Sequence, residues 1–290
     1  MDKLSGFFTR NPLSPELLVE HQEKPASFPD IYHQFSEVLR QPNYSTHHLA
    51  EVISMDAGLT ASLLRFVNSA YYSFPSHIDT PERAVTLVGA KELTVLAMGV
   101  SVIQAFKDIP EELINMEDFW RHSVACGLLC KVIGRHVGGI SDERLFVLGL
   151  LHDIGRLVMF QQIPKVMGTV MLASHNQRAP LFSIESQVLG FNHAELGGML
   201  LTEWGLPESI CTPISLHHQH KIADTDQDAL ILHLTDTMAT ALVMGLSGNF
   251  YVPDPIPNAW MRLGLKISAM ETIVQQTERQ LSDIVQAFLA

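Results

Sequence analysis

The chain has 290 residues, of which 47% are hydrophobic and 17% are charged, and this composition excludes a disordered or fibrous protein. Asp and Glu together number 31 against 19 Lys and Arg, so the formal net charge at pH 7 is −12. Because so acidic a protein repels phosphate backbones and anionic lipids, we expect neither nucleic acid nor a membrane as a partner.

The N-terminal region and the cysteines are typical of a soluble cytoplasmic protein. Residues 1–18 contain no apolar segment of the length that a secretory signal requires. The longest apolar run, residues 93–103, is shorter than the roughly 20 residues that cross a bilayer. Three cysteines are too few for a disulfide framework, and Cys126 and Cys130 are expected to be small buried side chains of one helix.

Helical periodicity runs through almost the whole chain, and strand alternation is nearly absent. The apolar residues of 59–67 recur at helical spacing, and Asn68 is predicted to end that helix. Asp79 or Thr80, followed by Pro81, is typical of the start of the next one. Because prolines and glycines separate many such segments, we predict an all-α protein.

A polar break at residues 107–112 divides the chain into two helical parts. We predict an N-terminal part over 1–110, packed against a C-terminal helical bundle over 111–290. The helices of the bundle are predicted near 117–137, 141–161, 193–203, 207–219 and 227–245. Residues 245–257 are rich in turn formers and are predicted to form a long surface loop.

Seven side chains in or beside apolar helical segments after residue 110 are candidates for a metal site: His122, His152, Asp153, His193, His217, His218 and Asp236. Burying imidazoles and carboxylates costs several kcal/mol each unless they are paired or bound to a cation. A shared divalent ion would satisfy the set, and these donors suit Fe, Mn, Ni, Co or Zn. Any one of the histidines, taken alone, better fits a satisfied core or surface residue. The prediction therefore depends on the set.

The order of these residues resembles the HD superfamily of metal-dependent phosphohydrolases, in which a histidine, a His-Asp doublet and a distal aspartate hold the metal. Several separate motifs are more closely similar to the HDOD branch, the HD-related output domains of bacterial signalling proteins. These motifs lie at 56–72, 81–93, 190–197 and 204–207 and at the His217-His218 pair. The likeness covers roughly residues 25–246.

The resemblance implies a role for each candidate. His122, His152, Asp153 and Asp236 would hold one divalent ion, and His193, His217 and His218 match the histidines that binuclear members add for a second ion. In an active enzyme Asp153 would also orient the attacking water, and Arg156 would face the phosphate.

Two functions remain open for the chain. The first is a regulatory or signalling module whose site is vestigial or structural, with a signalling protein or a small phosphorylated ligand as its partner. The second is an active metal-dependent phosphohydrolase that acts on a phosphoester or nucleotide. The related HD-GYP phosphodiesterases carry a Gly-Tyr-Pro motif just after the histidine pair, where this chain has Gln219, and favour Lys in place of Arg156. The resemblance to the HDOD branch and the absence of the Gly-Tyr-Pro motif favour the first function.

Overall fold

The computed structural model describes residues 13–22, 34–35, 37–104, 106, 109, 112–138, 142–219 and 226–289. Among these residues the regular structure is entirely helical and no strand occurs, which confirms the all-α prediction. The helices are α1 (Pro15–His21), α2 (Thr46–Ser54), α3 (Ala57–Val67), α4 (Pro81–Val88), α5 (Ala90–Gln104), α6 (Met116–Val137), α7 (Asp142–Leu151), α8 (Ile154–Gln162), α9 (Pro164–Gln177), α10 (Leu181–Leu189), α11 (His193–Glu203), α12 (Glu208–Leu216), α13 (Gln227–Ala241), α14 (Ala259–Arg262) and α15 (Met270–Leu289), with a 3-10 turn at Ile267–Ala269.

The chain forms two compact helical units, each discontinuous in sequence. One unit comprises Met1–Glu23 and Lys107–Thr277, and the other comprises Lys24–Phe106 and Glu278–Ala290. These units differ from a single cut at residue 110, because α1 belongs with the later helices and the end of α15 belongs with the earlier ones. The assignment of domains at 1–110 and 111–290 stays a prediction, and most of the predicted break at 107–112 lies outside the described residues.

Two helix ends in the unit that contains residues 24–106 lie where the sequence predicts them. Thr80 caps α4, and its side chain accepts a hydrogen bond from the Arg83 amide. Asn68 caps the C-terminus of α3, donating from its side chain to the carbonyls of Leu64 and Ile78 at 2.8 and 2.7 Å. The Arg83 amide is one of the groups that a helix start leaves without a helical partner, and the bond to Ile78 ties the end of α3 to the segment that follows it.

The unit that contains residues 107–277 is a helical bundle around α6. An Asn115 cap starts this 22-residue helix, which packs closely against α7. A Cβ atom on Gly149 would lie 2.3 Å from the Gly127 amide nitrogen, so only glycine allows the two backbones to approach this far. Helix α8 approaches α11 in the same way, since a Cβ atom on Gly155 would lie 2.1 Å from the His193 carbonyl oxygen.

The boundaries of two predicted helices agree with α6 and α11, whereas the other three differ. The helix predicted over 141–161 is interrupted at His152 and Asp153, where the Asp153 backbone leaves the helical region (φ −94°, ψ 8°). The histidine contributes to the break, because its ring binds the carbonyl of residue 149, three positions earlier, in place of a helical amide. The other two helices end early, at Leu216 and Ala241.

The prediction of a surface loop over residues 245–257 is wrong for its first part. No helix forms there, but Ser247 and Asn249 are only 1% and 4% exposed. The Leu246 amide donates to the carbonyl of Asp118 at 3.2 Å, and the Asn249 side chain accepts from the amide of Leu181 at 3.2 Å. We call residues 244–249 the covering loop, because these contacts hold the segment against the bundle.

Within the described part of the chain, no single helix has both the length and the apolar character that a membrane span needs. Among these residues, one pair of helices, Pro81–Val88 and Ala90–Ser101, is long and apolar enough only when its two members are taken together. The chain bends by 120° between them.

Candidate metal centre

The bundle brings all seven predicted ligands into one buried cluster. Helix α6 carries His122, and His152 and Asp153 occupy the break between α7 and α8. His193 is the first residue of α11, the His217-His218 pair follows α12, and Asp236 lies on α13. None of the seven residues is more than 6% exposed. The structure therefore gathers the set, whereas their service as metal ligands stays a prediction.

Four of these residues form the first group, with donor atoms at the separations that a metal ion imposes. His122 Nε2 lies 3.2 Å from Asp236 Oδ1 and 3.8 Å from Asp153 Oδ2. His152 Nε2 lies 3.3 Å from Asp153 Oδ2 and 3.8 Å from Asp236 Oδ1. Donors about 2.1 Å from a tetrahedral ion are about 3.4 Å from each other. The residues present thus fit a divalent ion.

Backbone contacts set the tautomer of two histidines in favour of metal binding. His152 Nδ1 lies 2.8 Å from the Gly149 carbonyl oxygen, and His217 Nδ1 lies 2.6 Å from that of Ile214. Since a carbonyl oxygen only accepts, both Nδ1 atoms donate. The two Nε2 atoms are buried and make no hydrogen bond of good geometry within the described residues. A metal-binding histidine typically has this arrangement, in which one nitrogen is anchored and the other is available.

A second group of donors comprises His193, His217 and His218. The Nε2 atoms of His193 and His218 lie 3.2 Å apart, and the rings of His217 and His218 have centroids 4.0 Å apart. His217 also belongs to a group with His152 and Asp153. It is therefore placed to serve either part of the cluster.

Arg156 lies inside the cluster rather than at its edge, and is 2% exposed. Its NH1 atom donates to Asp153 Oδ2 at 2.8 Å, and to the hydroxyl and carbonyl oxygens of Ser247 at 2.6 and 3.0 Å. Its NH2 atom lies 3.0 Å from both ring nitrogens of His193. These contacts direct the guanidinium toward the groups of the cluster.

Sequence analysis missed Glu185, which is fully buried on α10. Its Oε2 atom lies 2.6 Å from His193 Nδ1 and accepts from the His193 amide at 2.9 Å. Its Oε1 atom lies 3.5 Å from Arg156 Nε. The available signal was a carboxylate within an apolar helical segment, eight residues before a candidate histidine.

Cys126 and Ser247 were also missed as neighbours of the site. Cys126 follows His122 by one helical turn, and its Sγ atom lies 3.6 Å from His122 Nε2. Burial raises the pKa of the Cys126 thiol well above its usual value, so this side chain stays protonated. The sequence offered the i, i+4 spacing as a signal for Cys126 but none for Ser247, which is brought in by the covering loop.

The charges of the cluster shift the pKa values of its acids and bases in opposite directions. Burial opposes the charged form of Asp153, but Arg156 and His152 outweigh it and hold the pKa of the carboxyl well below its usual value. Burial likewise opposes the charged form of Asp236, yet the neighbouring imidazoles of His122 and His152 hold its pKa well below the usual value. Both carboxylates are therefore available to bind a cation at neutral pH.

The histidines of the cluster divide into two classes. Burial alone would lower the pKa of His152, but the Asp153 and Asp236 carboxylates outweigh it and raise that pKa to about 10. For His193, burial and Arg156 oppose the charged form, and Glu185 and Asp153 raise its pKa. Burial lowers the pKa of His217 to about 3 and that of His218 well below its usual value. The ion-free cluster therefore holds an extra proton on His152 at neutral pH, whereas His217 and His218 stay neutral.

Comparisons with known proteins identify a matching family and several similar proteins. A family model described as the HDOD domain matches residues 26–220. An uncharacterized protein of Treponema pallidum (strain Nichols) is 23% identical over 201 residues. That match covers 68% of this chain and 38% of the relative, so the chain spans well under half of that protein's length.

Two solved structures share the fold. A candidate phosphohydrolase from Shewanella amazonensis SB2B is 21% identical, with a TM-score of 0.74 over 95% of this chain and 97% of that one. An HDOD domain protein of unknown function from Geobacter sulfurreducens is also 21% identical, with a TM-score of 0.72 over 94% and 95% of the two chains. At this level of identity the likeness establishes a common architecture.

Proposed function

The chain belongs to the HDOD domain family, and we propose that it acts as a signal-transduction module built around a buried divalent metal centre. The observation that carries this proposal is the enclosure of the site. All seven candidate ligands are at most 6% exposed, Phe182 stacks on His218, and the covering loop bonds to Arg156. A hydrolase needs its metal open to substrate and water, whereas a closed centre serves to hold a bundle in one conformation.

The first group supplies the ligands in this proposal. His122, His152, Asp153 and Asp236 would hold the ion, and the Nε2 atom of His217, whose Nδ1 atom is anchored, is placed to join them. The ion would take the place of the His152 proton in balancing the negative charges of Asp153 and Asp236. Loss of the ion would then loosen the helices that carry these residues, and metal occupancy would be coupled to conformation.

We further propose that the output passes to a protein partner in the bacterial cytoplasm. The HDOD resemblance supports a signalling partner, and the three cysteines are buried free thiols, as is usual in a reducing compartment. A small phosphorylated ligand is the alternative partner. It would require an opening beside Arg156, the buried cation of the centre.

The second candidate function is a metal-dependent phosphohydrolase. It is favoured by the side chains beside the four ligands of the first group, namely the guanidinium of Arg156 and the imidazoles of His193 and His218. It is also favoured by the similar Shewanella structure, which is named as a phosphohydrolase. A divalent ion bound there would supply Lewis acidity for the activation of water. Asp153 would orient the water and Arg156 would bind a phosphoryl oxygen, provided that the covering loop and Phe182 moved aside.

Elemental analysis of the purified protein, followed by assays of phosphomonoesters, phosphodiesters and nucleotides with added Mn, Ni or Fe, distinguishes the two functions. We expect retained metal and no hydrolysis above that of a His152→Gln/Asp153→Asn variant. Turnover that depends on both residues would overturn the regulatory proposal in favour of the enzyme. Absence of bound metal from the parent under all loading conditions would overturn both.

A further inference from the structure

We propose that the centre holds one divalent ion rather than two, because the guanidinium of Arg156 takes the place of a second cation. This inference rests on the proposed metal-binding function and specifies its stoichiometry. It is carried by three observations: the contacts of Arg156, the charge of the buried cluster, and the hydrogen bonds of His193.

Arg156 lies where a second ion would have to meet its ligands. Its NH2 atom lies 3.0 Å from His193 Nε2, and its NH1 atom donates to Asp153 Oδ2 at 2.8 Å. An arginine keeps its proton at all accessible pH values. Any ion held by His193 and the neighbouring histidines would therefore lie against a fixed positive charge in a buried, weakly screened environment.

The position of the guanidinium is held from two directions. Ser247 of the covering loop accepts hydrogen bonds from NH1 with both its hydroxyl and its carbonyl oxygen. On the other side, Glu185 Oε1 lies 3.5 Å from Nε. Because Arg156 is 2% exposed, a swing of its side chain toward solvent would break these contacts and leave Glu185 buried without its cation.

The charge of the cluster also fits one ion. Its ionisable groups are the three carboxylates of Asp153, Glu185 and Asp236, together with one guanidinium. Apart from the imidazoles the net charge is therefore −2, which a single divalent cation cancels. A second ion would leave a buried positive charge of similar size, and burying net charge is strongly unfavourable.

The two nitrogens of His193 are already engaged. Nδ1 lies 2.6 Å from Glu185 Oε2, and Nε2 lies 3.0 Å from Asp153 Oδ1 as well as from Arg156 NH2. In contrast, His217 Nε2 is buried with no hydrogen bond among the described residues, and this residue belongs to a donor group with His152 and Asp153. His217 thus adds to the first group, and the second group loses a donor.

The test is the number of ions per chain in protein loaded with Mn²⁺ and dialysed, measured by elemental analysis and by electron paramagnetic resonance. We expect one equivalent in the parent and an uncoupled Mn²⁺ spectrum. Arg156→Gln, which removes the charge, should bind two equivalents, and Arg156→Lys, which keeps a charge, should bind one. His193→Gln should still bind one equivalent, because His193 is not a ligand of the single ion.

Each other result overturns a specific statement. Two equivalents or a spin-coupled pair in the parent would overturn the single-ion inference and leave the metal-binding proposal intact. No metal in the parent would overturn both. If Arg156→Gln fails to fold, the folded His193→Gln variant decides: one equivalent supports the inference, and loss of the ion makes His193 a ligand and overturns it.

Discussion

The ring of Phe182 lies flat on the imidazole of His218, with ring centroids 4.1 Å apart and ring planes 10° from parallel. Phe182 is itself half-buried, so one of its faces covers the metal centre and the rest borders solvent. The low pKa of His218, which burial produces, keeps its imidazole neutral beneath the phenyl ring. This stacked pair is a cover over the second group of histidines.

Phe182→Ala should release bound metal to a chelator about 2- to 10-fold faster than the parent does. Aromatic pairs contribute roughly 0.5–1.5 kcal/mol beyond the area they bury, and the variant removes that contribution from the closed state. Stopped-flow transfer of the ion to a coloured chelator measures the rate. Leu172→Ala, which truncates a 61% exposed side chain of α9, is the control, and equal rates in all three proteins would show that Phe182 is not a cover.

His152→Gln/Asp153→Asn should abolish metal retention. The variant removes an anchored imidazole nitrogen and a carboxylate from the first group while preserving side-chain volume. We also expect its melting temperature to become independent of added metal, whereas that of the parent rises with metal concentration. The control is His175→Gln, an exposed position on α9. Metal content equal to that of the parent would place the site elsewhere.

Metal binding should become tighter as the pH rises. In the ion-free protein the pKa of His152 is about 10, so an incoming ion must displace a proton from this imidazole. Each proton released changes the apparent affinity by up to about tenfold per pH unit below the relevant pKa. Calorimetric titration in two buffers of different ionisation enthalpy counts the protons, and a count of zero would contradict the assigned protonation states.

The ion-free protein should become less stable as the pH rises on the alkaline side, whereas its affinity for metal increases. The pKa of His152 is higher in the folded state than its usual value of 6.5. The stabilisation contributed by protonated His152 is therefore fully present below about pH 6.5 and is lost as the pH rises toward 10. His217 and His218 have lowered pKa values, so stability is also lost as the pH falls below about 6.5. The lowered pKa values of Asp153 and Asp236 add a further loss below about pH 4. Urea unfolding in a chelator across this range should show a maximum, whereas a steady rise up to pH 10 would contradict the prediction.

Gly149→Ala should destabilise the bundle by about 1–3 kcal/mol or more, the usual cost of overpacking. The new methyl group would lie 2.3 Å from the backbone of α6, and relief would shift the carbonyl that anchors His152. We therefore expect weaker metal binding as well. The matched control is Gly168→Ala on α9, where the nearest atom is 3.8 Å away; there the gain in helix propensity should be about 0.5–1 kcal/mol. Similar unfolding free energies for both variants would contradict the close approach.

Local interactions explain how much of the fold was predictable. The boundaries of α6 and α11 follow from side-chain periodicity and from caps within a few residues, such as Asn115 and Asn192. The break at His152 did not follow, because apolar residues continue at helical spacing on both sides of it. The close approach of α8 to α11 at Gly155 did not follow either, because periodicity carries no information about contacts between helices.

The sequence alone determined the helical class, the donor types and, through its resemblance to the HDOD branch, the seven residues that meet in the centre. It could not determine how they are enclosed. Glu185 reaches His193, Ser247 reaches Arg156 across 91 residues, and Phe182 covers His218. These contacts depend on how separate helices and the covering loop pack together. Side-chain chemistry is a local property of each residue, whereas solvent exclusion and the balance of buried charge belong to the assembled bundle, and only the tertiary structure decides them.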